Sequence, residues 1–565
     1  MKKHVLPLLL AAMVVGLSSC NSNNGGSSSQ GGSSTPQSST PSSSQGGDSS
    51  TAEPANTDLG FGPDSPIELT ACVSQSEIQG NFDDMVIIKD YAEASGIHIE
   101  FQEIPAADRA TQLSLILASG EVPDILFKMS VGSADQAKYA SEDMFVALTD
   151  HEDLMPNLRR WFNEFPTAEQ AVTMEDGKVY GAPYILAGDA IRTSSKMWYN
   201  TDVLSQLEME PPTTTEEFYE YLKGCKSLDY NGNGQADEIP LTCSDVGGLE
   251  GYFFGSFGLA NRGSSHNTIY VDEAGELQYV YSSDRYRKLS QYMRQLYSEG
   301  LIDQDIFTMD YAQEIAKCTT GRALNFVMVN NSPVSNSEYE QYSKAFGEPF
   351  EGPDGFKEFW NYSLPASTAA QFMITYKCEE KGEAAVNAAM TWMDHWYSDE
   401  GILAYFMGVE GVTYEADANS PGGYKLTDMV LKNPDGRTFE QVLAEYVPWA
   451  GGANPSVATN EYFKGGETWP ACLEAVETLR NYYPVEVWAP FNRYYTTDES
   501  TEQSQINTDL TTYLKEWRAY FMTGQKDINS DADWNEYVNG FSGMRLDRYM
   551  EIYRKGYEGY KADQG

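Results

Sequence analysis

The sequence predicts an α/β protein whose first domain is a parallel sheet with helices on its faces. Three observations carry this. Between residues 66 and 127, stretches of strand and helix character alternate as β-α-β-α-β. The turns that separate them hold Gly96 and the step Ser119-Gly120-Glu121-Val122-Pro123-Asp124, both natural breaks. About 505 residues follow an N-terminal leader and linker, too many for one core and enough for two or three domains.

In order, 67–73 has strand character and Ser74-Gln75-Ser76 is a polar loop. Residues 83–95 read as a helix ending before Gly96, 97–101 alternate as a strand, 107–118 are amphipathic, and 125–127 form the third strand. Ligands of such sheets sit beyond the carboxyl ends of strands, here Ser74 to Glu77 and Lys128 to Ser130. Thr215 before Glu216 and Glu217 is the expected N-cap of a helix, with acids in the first turn. Helices are expected over 286–297, 384–396 (with Gly401 as its C-cap) and 546–560, and buried strands over 325–329 and 372–375. The chain shows no internal repeat.

The N-terminus sets the compartment. Lys2 and Lys3 precede an apolar run from Val5 to Val15, the order of a secretory signal and too short for a permanent span. Leu17-Ser18-Ser19-Cys20 resembles the lipobox of bacterial lipoproteins, which implies removal of 1–19 and lipidation of Cys20. Residues 20–62 are rich in Ser, Gly, Asn, Gln, Thr and Pro, a composition that behaves as a disordered tether with a reach of roughly 35 Å. The expected site of action is the outer face of the cell membrane, with the lipid as the only membrane contact.

The formal charge is −45, with 83 acidic against 38 basic residues. That balance repels nucleic acid and anionic headgroups, so neither is an expected partner. Beyond Cys20 there are six cysteines without a CxxC spacing, which argues against a disulfide scaffold or structural zinc; Cys225 and Cys243 either pair or stay as buried thiols.

The strongest local motif is Asp229-Tyr230-Asn231-Gly232-Asn233-Gly234-Gln235-Ala236-Asp237-Glu238-Ile239-Pro240. Oxygen side chains at loop positions 1, 3, 5 and 9 and Gly at 6 reproduce the opening of an EF-hand calcium loop, with the Gln235 carbonyl at position 7. Pro240 replaces the usual bidentate Glu at position 12, and Glu238 is the available substitute. One structural Ca²⁺ held by Asp229, Asn231, Asn233, Gln235, Asp237 and Glu238 is expected.

A family resemblance rests on several of these segments. The opening strand, Ser119 to Leu126, Val146-Ala147-Leu148-Thr149-Asp150, and Asp176 to Tyr184 are similar to the N-terminal half of extracellular solute-binding proteins of ABC importers. Met197 to Asp202, Pro211 to Phe218, the Asn-rich loop, Ser298 to Asp303 and Gly408 to Tyr414 continue the likeness, which resembles most the large lipoprotein branch that captures oligosaccharides, alginate-oligosaccharide binders among them. The resemblance implies a periplasmic-binding-protein-like fold, two α/β lobes joined by a multi-crossover hinge, closing on a sugar and docking as a monomer on permease subunits. The expected division is 63–190 for the first part of the N-terminal lobe, 191–370 for the C-terminal lobe with the calcium loop 229–240, and 371–565 for returning segments, hinge and C-terminal helices.

A glycan-degrading or glycan-adhesion lipoprotein is the alternative. No Gly-x-Ser-x-Gly elbow or His-Glu-x-x-His helix is present, and with 83 acids no carboxylate pair stands out for glycoside hydrolysis. A binding protein, not an enzyme, is therefore expected. Sugar faces stack on aromatic rings, which nominates Tyr184, Trp198, Trp360, Trp449 and Trp488. Gln75, Glu77, Ser130, Arg192 and Glu410 are the expected polar contacts, the first three at strand ends and Glu410 between Gly408 and Gly411.

Overall fold

The computed structural model describes residues 59–564 apart from 336, 434–436 and 451. The leader, Cys20 and the linker up to 58 lie outside the described residues. Strand β1 (Ile67–Gln75) pairs in parallel with β2 (Ile97–Pro105), from Ile67 opposite Ile97 to Gln75 opposite Pro105. Between them α1 (Val86–Ser95) ends at Gly96, whose φ is 76°. A Cβ at that position would lie 2.1 Å from the Gly62 carbonyl oxygen, so both conformation and space demand glycine. Helix α2 (Arg109–Ser119) leads to β3 (Ile125–Val131), parallel to β1, and α3 (Ser133–Ala140) follows. The alternation read from the sequence is thus present, each strand running further than its pattern signalled.

The chain then supplies β4 (Gly181–Leu186), β5 (Lys196–Asn200), α4 (Thr215–Lys226), α5 (Val246–Tyr252) and α6 (Asp284–Ser298). Next come β6 (Asn325–Met328), β7 (Ser343–Ala345), β8 (Ala366–Ile374), α7 (Glu383–His395) and α8 (Asp399–Met407). The last elements placed here are β9 (Val457–Ala458), α9 (Pro470–Leu479), α10 (Thr497–Thr523) and α11 (Leu546–Gln564). The large sheet has the order β9-β4-β8-β3-β1-β2, and a small antiparallel sheet has the order β6-β5-β7.

Two cores define two lobes. One packs helices on the large sheet around Val73, Phe127, Ile185, Phe372 and Trp392. The other gathers Phe218, Leu249, Tyr286, Trp517 and Tyr537. The chain crosses between them three times, over 187–195, 359–365 and 459–469, and the crossovers are tied to each other by backbone. Gly188 N–H donates to the Ala458 carbonyl (3.1 Å), Leu186 N–H to Pro365 (2.8 Å) and Ser363 N–H to Arg192 (3.0 Å).

Several boundaries differ from the sequence reading. The second lobe's middle segment stops short of 370, because β8 begins at Ala366 and inserts antiparallel between β3 and β4. The tail divides, 366–458 completing the first lobe and 470–564 the second, since their apolar faces belong to different cores. Packing begins before residue 62: Gly62 and Ser65 exchange backbone hydrogen bonds, and Leu59 accepts one from Asn387 (3.5 Å). The N-cap of α4 is Thr214, because Glu217 three residues on reaches back to its N–H (3.2 Å) and closes a capping box; Thr215 is the first helical residue. Gly401 lies inside α8, where Ser398 caps the helix, and a Cβ there would stand 1.8 Å from the His395 carbonyl oxygen. All six cysteines among the described residues are buried free thiols, so Cys225 and Cys243 do not pair.

Candidate ligand cleft and calcium loop

The ends of β1 and β3 carry three of the expected ligand residues, Gln75, Glu77 and Ser130. Gln75 closes β1 and donates to the Gly80 carbonyl (3.1 Å), with Glu77 exposed just beyond. Strand β3 is distorted at its end, where Lys128 and Ser130 have φ of 58° and 53°. Non-glycine residues hold this conformation only where surroundings fix it. Lys128, 1% exposed, is fixed by donating to the Pro448 carbonyl (2.5 Å), the Gly452 carbonyl (2.7 Å) and Asn454 Oδ1 (2.8 Å), and its burial holds the ammonium pKa well below that of a free lysine. Ser130 Oγ donates to Gln371 Oε1 (2.9 Å), tying β3 to β8. Sequence reasoning missed Lys128 as an anchor, since its acceptors lie more than 300 residues away.

Of two residues expected on the crossover, Tyr184 lies in the preceding strand β4 and only Arg192 lies on the crossover itself. Tyr184 in β4 donates its backbone N–H to Ser367 Oγ (3.0 Å), and burial raises its phenol pKa. Arg192 donates Nε–H to the Ser363 carbonyl (3.0 Å) and lies 4.3 Å from the Tyr362 ring centroid, so it braces two crossovers.

The second lobe contains a hollow of about 350 Å³. One wall is α10, where Asn507, Thr511, Leu514, Lys515 and Arg518 fall at helical spacing on one face. The other is the turn at Asp245 with Gly247, Gly248 and Gly251 of α5. Trp360, from the second crossover, lies against Gly251; a Cβ there would be 2.7 Å from the indole, so the glycine makes room for the ring. Phe254 meets the indole edge-on at 5.4 Å. The Trp360 indole N–H is buried and has no acceptor within the protein. Arg518 donates twice to Glu250 Oε2 (3.0 and 2.7 Å), and Tyr286 donates to Glu250 Oε1 (2.9 Å), so an ion pair with both partners buried locks α5 to α10. Helix α3 of the first lobe packs against α10, and Trp360 belongs to the second crossover, so the hollow lies beside a connection between the lobes.

Of the ten expected ligand residues, only Trp360 lines this hollow. Trp198 is 0% exposed in β5, donating to the Met328 carbonyl (2.9 Å) and stacked near Phe326. Trp488 is also 0% exposed, donating to Glu486 (2.6 Å) inside a cluster with Phe491 and Tyr557. Both are core residues: next to a strand end or loop, a ring that packs inward has the same sequence surroundings as one that packs on a ligand. Trp449 is buried against Phe463. Glu410 is exposed on the loop after α8, paired through backbone with Tyr414. The wall residues of α10 were missed, although their spacing of four was readable in the sequence.

The loop at 229–238 turns on Gly232 and Gly234, with φ of 69° and 85°. Asp229 accepts from Gly234 N–H (2.9 Å), Asn231 from Asn233 N–H (3.1 Å), and Asn233 from Gln235 N–H (2.8 Å). Glu238 is 5% exposed; its Oε1 accepts from Asn231 N–H (3.0 Å) while its buried Oε2 has no partner. An orphaned buried carboxylate oxygen beside Asp and Asn oxygens fits a hard cation. Among the described residues no cluster of three His, Cys, Asp or Glu side chains converges as a metal site by itself, so such a site draws on the amide and backbone oxygens as well.

Residues 86–425 match the family model described as bacterial extracellular solute-binding protein. The chain belongs to that family. Members bind solutes and are not enzymes, and the two-lobed fold with its crossovers is that of periplasmic binding proteins. Among curated relatives of this solute-binding protein is the fructooligosaccharide ABC transporter substrate-binding protein FusA of Streptococcus pneumoniae, 25% identical over 502 residues, covering 85% of this chain and 88% of FusA. The polygalacturonan/rhamnogalacturonan-binding protein YtcQ of Bacillus subtilis is 23% identical over 361 residues, covering 62% of this chain and 68% of YtcQ. Among solved structures, FusA with kestose superposes with a TM-score of 0.70 at 22% identity, covering 88% of this chain and 100% of FusA. A FusA EF-hand mutant with fructo-nystose gives 0.69 over the same shares. The alginate-binding protein AlgQ2 without calcium ion gives 0.70 at 20% identity, over 87% of this chain and 98% of AlgQ2.

Proposed function

We propose that this solute-binding protein captures an oligosaccharide between its lobes and delivers it to the permease of an ABC importer. The observation that carries the reading is the Trp360 hollow in the second lobe beside a crossover, which offers a flat ring, a buried indole donor without an acceptor, and the amide and hydroxyl side chains of Asn507 and Thr511. Rings that stack on sugar faces, edged by side chains that both donate and accept, are the recognition chemistry of polyhydroxylated ligands. Three mutually tied crossovers suit hinge closure over such a ligand. Gln75, Glu77 and Ser130 form the opposing rim, with Tyr184 and Arg192 bracing the hinge. Relatives named for fructooligosaccharide and pectic glycans support the same reading. Two further features complete it: one calcium ion held by Asp229, Asn231, Asn233, the Gln235 carbonyl, Asp237 and Glu238, and a lipid on Cys20 that holds the monomer at the cell surface.

Titration calorimetry on Trp360→Ala against a glycan bound by the parent is the test. Loss of a stacked ring at a hot spot costs about 2 kcal/mol or more, close to thirtyfold in Kd. Parent-like affinity in a folded Trp360→Ala protein would remove the hollow from the site.

A further inference from the structure

The chain has four Asn-Gly pairs: Asn24-Gly25, Asn231-Gly232, Asn233-Gly234 and Asn539-Gly540, the last three within the described residues. An Asn side chain before Gly invites attack from within the chain, because the following backbone nitrogen reaches the amide carbon and glycine has no Cβ to obstruct it. We infer that Asn231 is a site of spontaneous hydrolytic modification, the pair among these three whose reacting groups the fold leaves available.

The chemistry needs only water as co-reactant. The Gly232 nitrogen bonds to Asn231 Cγ, its proton passes through water to Nδ2, and Nδ2 leaves as ammonia, closing a succinimide. Water then opens the ring at either carbonyl. One product is aspartate; the other is isoaspartate, with the main chain rerouted through the side chain.

Asn231 Oδ1 accepts from the Asn233 N–H (3.1 Å), which polarises Cγ and stabilises the oxyanion formed on attack. Gly232 is exposed, and among the described residues neither its N–H nor the leaving nitrogen Asn231 Nδ2 has a hydrogen-bond partner. Asn233 differs at both groups. Its Oδ1 also accepts, from the Gln235 N–H (2.8 Å), but the Gly234 N–H is held by Asp229 Oδ2 (2.9 Å) and Asn233 Nδ2 by Asp237 Oδ1 (2.9 Å). Asn539-Gly540 lies inside the helix Asp531–Gly543, where the Gly540 N–H belongs to the backbone ladder.

Resting on the calcium reading above, isoaspartate here also disables the ion site. It adds one carbon to the backbone at loop position 3, which displaces Asn233, Gln235 and Asp237 relative to Asp229.

The test ages the whole soluble chain with chelator at mildly alkaline pH and locates aspartate and isoaspartate by tandem mass spectrometry of digests. Asn24-Gly25, outside the described residues, shows in the same digest that the conditions convert an Asn-Gly pair. Asn231 should change at least about tenfold faster than Asn233 and Asn539, the factor that one hydrogen bond to a charged group corresponds to. Asn233 or Asn539 changing as fast, or Asn231 staying intact while Asn24 is converted, would overturn the inference. Aged protein should lose its melting response to Ca²⁺ as isoaspartate accumulates, and an undiminished response after full conversion overturns that consequence. Fresh protein without any response to Ca²⁺ would remove the calcium reading and leave the modification site standing.

Discussion

His266 is buried in the second lobe between two partners: its Nδ1 faces the Tyr553 hydroxyl and its Nε2 lies 3.2 Å from the Ala489 carbonyl. The neutral ring satisfies both, Nε2–H donating and Nδ1 accepting, whereas a proton on Nδ1 would face a hydroxyl in a site closed to water. Burial accordingly pushes its pKa down to about 4 from an ordinary 6.5. The folded pKa is depressed, so the neutral ring's stabilisation is full above about pH 6.5 and is lost as the pH falls through about 4. At 1.36 kcal/mol per pH unit the loss approaches about 3 kcal/mol. Urea midpoints of the parent and His266→Gln, compared from pH 7 to 4, should therefore converge as the pH drops; parallel profiles would show that the ring does not titrate this way.

At the scale of an element, the 229–238 loop combines local and distant determinants. Its Asx turns bring the side-chain oxygens inward, and Arg322 approaches Asp237 at 3.8 Å from outside. A cation that binds only the folded loop stabilises it by about 2.7 kcal/mol at a hundredfold excess over Kd. Chelator should lower the melting temperature and added Ca²⁺ should restore it, with Glu238→Gln losing most of the response because its unpartnered Oε2 is the oxygen best placed to need a cation. An identical melting temperature with chelator and with calcium would refute a bound ion.

For the molecule as a whole, the proposed function depends on two lobes closing and on a lipid at Cys20 that keeps the protein at the cell surface. A single acyl chain binds membranes only marginally, while the diacyl modification of a lipobox cysteine supplies a second chain. Cys20→Ala should therefore shift the protein from the membrane fraction to the medium, or leave an uncleaved precursor, on fractionation and mass spectrometry. Unchanged processing and membrane retention would refute anchoring at Cys20. Among the described residues no helix is long and apolar enough to cross a membrane.

What the sequence determined by itself is what neighbours in the chain can encode. The alternation of 67–127, the stop at Gly96, the calcium-type spacing from Asp229 to Glu238 and the Cys20 motif all depend on a few consecutive residues, and the parallel ladder and Gly96 geometry follow directly. Trp360 was legible as a candidate stacking ring near a loop, though not as part of a crossover. Tertiary structure alone decided which tryptophans are core, because Trp198 and Trp488 are buried by residues from distant segments. It also decided that β8 leaves the second lobe for the first, and that Lys128 is held by carbonyls 320 and 324 positions away. The pairing of Arg518 depends on it most: only folding brings Glu250, 268 residues earlier, onto its guanidinium. Burial and ion pairing are sums over neighbours in space, and a linear pattern contains no such sum.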